Sequence, residues 1–197
     1  MIMNKVNVRR FTETGIFVAL AVVLDLLCKL IPFANMPQGG HVSLALVPMV
    51  MIGLRNGTKY GLIGGLVFAV LNFMLDGFVW HVGSIFFDYL IPFTCFGLAG
   101  LFKDKFKNAY VRIIVAILVC SLIRYVSHGL SGVIFFAEYA YMPDSLNWNV
   151  TGTALVWVYS FIIYNLPYVG LSCVVSLIVA VILQNRGLIY YKQEVEE

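Results

Sequence analysis

Six stretches of apolar residues, at about 11–31, 43–54, 60–75, 82–102, 110–136 and 152–184, occupy most of this chain and leave only short polar, Gly or Pro punctuation between them. Helices apolar on every side suit a bilayer, where each crossing takes about 20 such residues. Of the 197 residues, 61% are hydrophobic and 12% charged. Soluble domains carry about twice that share of charge. The chain therefore reads as an all-α integral membrane protein of six transmembrane helices, with residues 1–197 forming a single membrane domain. The net charge of +3 is small and scattered, which argues against a nucleic-acid partner.

The second stretch is short for a crossing. The Gly39-Gly40 pair ahead of it and Pro48 within it predict a broken or partly re-entrant helix. Irregular backbone at membrane depth needs protein or a water-filled cavity around it, so a pocket is expected there. The first stretch follows Lys5, Arg9 and Arg10 as a signal peptide would. Its length, its internal Asp25 and Lys29 and its lack of a small-residue cleavage site mark it as a retained helix.

The basic residues set the orientation. Lys5, Arg9 and Arg10, then Arg55 and Lys59, then Lys103, Lys105, Lys107 and Arg112, and finally Arg186 and Lys192 fall at alternate connections. The intervening loops, about 32–42, 76–81 and 137–151, lack Lys and Arg. Both termini are predicted to be cytoplasmic, in a multi-pass protein of the cell membrane. The basic-free loops instead carry aromatics and acids, among them Phe33, Asp76, Phe78, Trp80, Glu138, Tyr139, Tyr141, Asp144 and Trp148. An interfacial aromatic belt accounts for such residues as readily as ligand capture does.

A charge at the bilayer centre costs at least about 2.5 kcal/mol if unpaired, so polar groups within the helices need a partner or a purpose. Asp25 and Lys29, one turn apart, are expected to neutralise one another. Asp88, His128 and Tyr159 come from three different helices yet all lie roughly 10–13 Å below the outer ends at 1.5 Å per residue. Asn165 lies deeper, Asn72 and Trp80 sit near the rim, and Arg124 is one turn below His128, placed to pair with Asp88 or a backbone carbonyl. A satisfied interhelical hydrogen bond explains any one of these singly; their shared depth points to one outward-facing cavity.

Its chemistry suits a small planar heteroaromatic molecule. Tyr89, Tyr125, Phe136, Trp157, Tyr159 and Tyr164 offer flat faces, while Asp88, His128 and Asn165 offer directed hydrogen bonds and a welcome for a cation. Neither a nucleophile at recognisable spacing nor a metal-ligand cluster is present, and Cys28, Cys95, Cys120 and Cys173 sit apart in apolar surroundings as packing residues. No phosphate-binding loop occurs, so uphill transport driven by ATP would need another chain to bind the nucleotide. Two rivals stand beside a binding protein: an intramembrane enzyme with Asp88 and His128 as acid and base, and a scaffold without a ligand.

Several pieces of the sequence resemble the thiamine-specific substrate-binding subunits, or S components, of energy-coupling factor transporters. They are Met36-Pro37-Gln38-Gly39-Gly40 leading into Val42-Ser43-Leu44 and Pro48, Phe87-Asp88-Tyr89, Gly97-Leu98-Ala99-Gly100-Leu101-Phe102, the run Arg124 to Phe136, Tyr139-Ala140 and Tyr164-Asn165. The resemblance implies a six-helix protein with a thiamine pocket near the outer face and no resident cofactor. It also implies docking onto a transmembrane coupling protein and two nucleotide-binding subunits that hydrolyse ATP, with Gly15 and Ala19 as the small-residue pair used for docking. Carried over by position, Asp88 would hydrogen-bond the aminopyrimidine, with Tyr89 beside it and His128 against the thiazolium. Phe136 would stack on the pyrimidine and Asn165 would hydrogen-bond. Three departures stand out: Asp88 is a methylene shorter than the family's Glu, Phe136 is smaller than its frequent Trp, and Tyr159-Ser160 stand one residue further from Asn165. That last spacing predicts that Tyr159 turns away from the ligand, and together the departures keep open a related pyrimidine or other small heteroaromatic vitamin.

Overall fold

A computed structural model describes residues 5–37, 39–141 and 152–190. Gln38, Asp144, Trp148 and Lys192 lie outside these described residues. The six helices are α1 (Lys5–Lys29), α2 (Leu46–Asn56), α3 (Thr58–Asp76), α4 (Val82–Phe102), α5 (Ala109–Phe135) and α6 (Thr153–Asn185). Five of them are long and apolar enough to cross a bilayer, α2 being the short one.

Short as it is, α2 is a regular helix, which corrects the expectation of a broken one. Pro48 falls in its first turn, where a backbone N–H has no intrahelical acceptor to lose. The irregularity lies before the helix, in an outer loop where Asn35 bridges to His41 and the Met36 amide donates to the Gly40 carbonyl at 2.6 Å. Every residue of α2 except Arg55 is buried, packed by α1, α3, α4, α5 and α6. Because protein rather than lipid surrounds it, α2 need not match the roughly 30 Å of hydrocarbon thickness. The other helices carry the lipid-facing surface, with Ile16, Leu122, Ile134 and Ile178 each more than half exposed.

Backbones approach closely around this centre. A Cβ on Gly97 of α4 would stand 2.2 Å from the Leu62 amide nitrogen of α3, so only glycine lets these two helices touch. On the other side, a Cβ on Gly132 of α5 would overlap Ser160 Oγ of α6, 2.1 Å away.

Two helices are not uniform. In α4 the turn Ile85–Leu90, and in α6 the stretch Val158–Asn165, widen to π-helical geometry. Each is followed by a proline, Pro92 and Pro167 respectively. A proline ring collides with the carbonyl four residues back and offers it no N–H, so the turn ahead must open. The Phe87 carbonyl, which Pro92 cannot serve, accepts from Ser127 Oγ of α5 at 2.5 Å, and Tyr125 OH of α5 adds a bond of 3.0 Å to the Phe161 carbonyl, which also accepts from the Leu166 amide.

Candidate functional site

Both widened turns face one cavity. Asp88 and Tyr89 sit on the first, and Tyr159, Tyr164 and Asn165 on the second, while α5 supplies His128 and Phe136. Seven of the nine residues that the sequence placed around a cavity therefore line the same space, at the end of the bundle bearing the basic-free loops. Gly39, Gly40 and His41 of the outer loop close it on one side, with Phe78 and Tyr139 beside them. Gly39 adopts φ +102°, and a Cβ there would press within 2.9 Å of Phe78 Cβ. The cavity is partly open and its void is about 90 Å³, well below the roughly 300–1,000 Å³ usual for a ligand pocket. An occupant with two rings must therefore push back the loop or the aromatic walls.

A polar chain runs along the floor. Asp88 Oδ2 accepts from Ser131 Oγ at 2.8 Å, and Oδ1 lies 3.4 Å from His128 Nδ1. On the far side of the ring, Arg124 Nε donates to His128 Nε2 at 3.4 Å. A guanidinium can only donate, so Nε2 presents its lone pair and the ring proton sits on Nδ1, toward Asp88. The Arg124 charge lies 5.6 Å from the ring centres of both Phe93 and Tyr168. Arg124 thus pairs with His128 and two aromatic faces, a correction to the expected Asp88 or carbonyl partner. Tyr168 OH donates to Asn165 Oδ1 at 2.7 Å, and Asn165 Nδ2 to the Ser160 carbonyl at 2.8 Å. Two tyrosines tie the walls to the loops: Tyr89 OH accepts from the Phe78 amide at 2.7 Å and Tyr164 OH from the Gly40 amide at 3.4 Å.

Asp25 forms a second polar centre behind the first. Its Oδ1 accepts from Ser43 Oγ and lies 3.1 Å from His41 Nε2, and its Oδ2 accepts from Asn72 Nδ2 at 2.6 Å. Because a carboxylate only accepts, His41 carries a proton on Nε2. The expected Asp25–Lys29 pair is too narrow a description, since Asp25 also gathers the outer loop and α3 around α1. His41 and Asn72 also line the cavity, so this centre borders it as well.

Other expectations are corrected by helical phase. Tyr125 lies about 100° round α5 from Arg124, spends its hydroxyl on α6 and does not line the cavity. Trp157, half exposed, stacks on Phe161 at 5.5 Å outside the cavity. Tyr159, expected to turn away, lines it and lies 6.2 Å from the Tyr164 ring, both residues standing on the widened stretch Val158–Asn165. Trp80 is half exposed against Tyr139 at the rim. Missed altogether were His41, Phe93, Ser131 and Tyr168. Of these only His41, directly after Gly39-Gly40 at the outer level, carried a readable signal.

The sequence pattern of the thiamine transporter protein family, Thia_YuaJ, matches residues 11–191, nearly the whole chain. The chain belongs to this family. The thiamine transporter ThiT of Bacillus subtilis (strain 168) is 33% identical over 184 residues, covering 88% of this chain and 89% of that protein. ThiT of Lacticaseibacillus paracasei is 28% identical over 167 residues, covering 77% of this chain and 75% of its own. A solved structure of ThiT from Listeria monocytogenes superposes with a TM-score of 0.68 at 22% identity, covering 94% of this chain and 95% of that one, which supports the fold. The family is one of multi-pass membrane transport proteins rather than enzymes, which sets aside the intramembrane-enzyme reading.

Proposed function

We propose that this member of the thiamine transporter family is the S component of an energy-coupling factor transporter, binding thiamine from outside in the cavity between α4, α5 and α6. The observation that carries this reading is the convergence of Asp88, Tyr89, His128, Phe136, Tyr159, Tyr164 and Asn165 on one cavity in a family of thiamine transporters. In this reading Asp88 accepts from the exocyclic amine of the aminopyrimidine. Phe136, whose ring already stacks 6.2 Å from Phe78, takes a flat face of the ligand. His128, whose Nε2 accepts from Arg124, sets its ring against the thiazolium, and the tyrosine faces attract that cation. Displacement of the Gly39–His41 loop admits the ligand.

Energy would come from ATP hydrolysis on two nucleotide-binding subunits, through a coupling protein docked on α1. Gly15 and Ala19 support this, because both are exposed and a Cβ on Gly15 would meet nothing within 4 Å. Such a bare small-residue face lets a partner helix approach closely. Isothermal titration of the purified chain tests the ligand: saturable heat with thiamine is expected, and silence at micromolar concentrations overturns the assignment. Uptake into vesicles reconstituted with the partner subunits tests the coupling, which Gly15→Leu is expected to abolish while leaving binding intact.

A further inference from the structure

At the opposite end of the bundle lies a second concavity that the thiamine reading does not use. It is far roomier than the outer cavity, about 720 Å³, and opens between the ends of α1, α2, α4, α5 and the segment after α6. Arg9, Arg10, Arg55, Lys103 and Arg112 line it against two acids, Glu13 and Asp104. Five cations from four separate parts of the chain thus converge on one cleft.

Among the described residues, not all of that charge is paired with an acid. Arg55 is paired with Glu13 at 2.5 Å and donates to the Leu188 carbonyl at 2.9 Å. Arg112 donates to the carbonyls of Phe106, Lys103 and Lys107 and stacks 5.0 Å over Tyr190. These three bonds use three of its five N–H groups, and the carbonyls carry no charge to offset its own. Arg9, Arg10 and Lys103 have no acidic partner among the described residues. A preference for basic residues on the cytoplasmic side accounts for their presence but not for their convergence. Lys59, Lys105 and Lys107 obey the same preference, are exposed, and lie outside the cleft. Burial pushes the Tyr190 hydroxyl up to about 12 against the pull of Arg112, so at neutral pH it remains a protonated donor on the cleft wall.

We propose that this cleft is a cytoplasmic binding site for a phosphate-bearing anion the size of a lipid headgroup or a diphosphate. Arg and Lys side chains converging in a partly enclosed basic pocket between helix ends suit that chemistry, with Arg112 offering planar donors and Lys103 a point charge. The positively charged thiamine would be repelled from the same walls, so the cleft is distinct from the outer site in ligand as well as position.

Two probes distinguish the sources. The purified chain is titrated with inorganic pyrophosphate while its thermal unfolding is followed, and native mass spectrometry after transfer from phosphatidylglycerol or phosphatidylcholine nanodiscs reads retained lipid. Either stabilisation by several degrees at millimolar pyrophosphate or selective retention of phosphatidylglycerol is expected, the first indicating a soluble anion and the second a headgroup. The variant Arg9→Gln/Arg10→Gln/Lys103→Gln should lose the effect at least tenfold, while Lys59→Gln/Lys105→Gln/Lys107→Gln, with the same change in net charge, keeps it. Equal loss in both variants, or no binding of either probe, overturns the proposal. Should the triple variant fold poorly by circular dichroism, Lys103→Glu alone serves, with at least a threefold loss expected and an unchanged effect counting against the site.

Discussion

Two carboxylate–imidazole pairs border the same cavity and are built to different ends. Asp25 with His41 is almost sealed, its side chains 6% and 7% exposed, and Ser43 and Asn72 also bond the carboxylate. Asp88 with His128 is looser, at 3.4 Å, with side chains 17% and 11% exposed and Ser131 as the one other partner of the carboxylate among the described residues. A carboxylate saturated by protein has little left for a ligand, whereas one with spare acceptor capacity facing a void can accept from an occupant. The comparison teaches that a buried acid in a membrane bundle is read by counting its partners rather than its depth.

Breaking the sealed pair should have the largest effect. Asp25→Ala strips three side chains of their shared acceptor, and removing one partner of a buried pair typically costs about 3–5 kcal/mol. Thermal unfolding in detergent should show a drop of many degrees or loss of monodisperse protein; a wild-type melting point would show that the network does not hold α1 to the outer loop. Asp88→Ala should act in the opposite sense, with a melting point close to wild type and thiamine binding weakened by about 1.5–3 kcal/mol, the worth of a hydrogen bond to a charged group. Calorimetry that found unchanged affinity would remove Asp88 from the site.

Smaller effects sharpen the contrast. Combining Asp88→Ala with His128→Ala should cost less than the two losses added, by about 0.5–3 kcal/mol, since the residues share one hydrogen-bonded chain. Strict additivity in binding would mean that the two side chains meet the ligand independently. Smallest of all, Tyr159→Phe should weaken binding by no more than about 1 kcal/mol, because the ring face remains and a single neutral hydrogen bond is at stake. A loss above tenfold would instead make the Tyr159 hydroxyl a principal contact.

The helices were legible because lipid enforces long apolar runs, and the basic residues gather toward one end of the bundle. The site was legible in part. Asp88, His128, Tyr159 and the deeper Asn165 betrayed themselves by cost and depth, Tyr89, Phe136 and Tyr164 by their flat faces beside them, and the resemblance assigned roles to most of them. His41 was missed and Asp25 only partly read, because a partner one turn away in the same helix is visible in sequence while one reached through a loop or another helix is not. Tyr125 was misplaced because only one face of α5 meets the cavity and Tyr125 stands about 100° away from it, and Trp157 because the widened stretch that begins directly after it breaks the phase on which periodicity relies. Ser131 and Ser127, which hold Asp88 and the turn beneath it, carry no mark of their own in an apolar helix.

The widened turns also bear on how such a protein can change over generations. A residue gained above Pro167 is taken up within the turn, so the lower half of α6, with Ser172, Ser176 and Ala180 buried against its neighbours, keeps its register. Pocket and bundle can then drift separately, and a lineage can try a new ligand without first having to reassemble its membrane core.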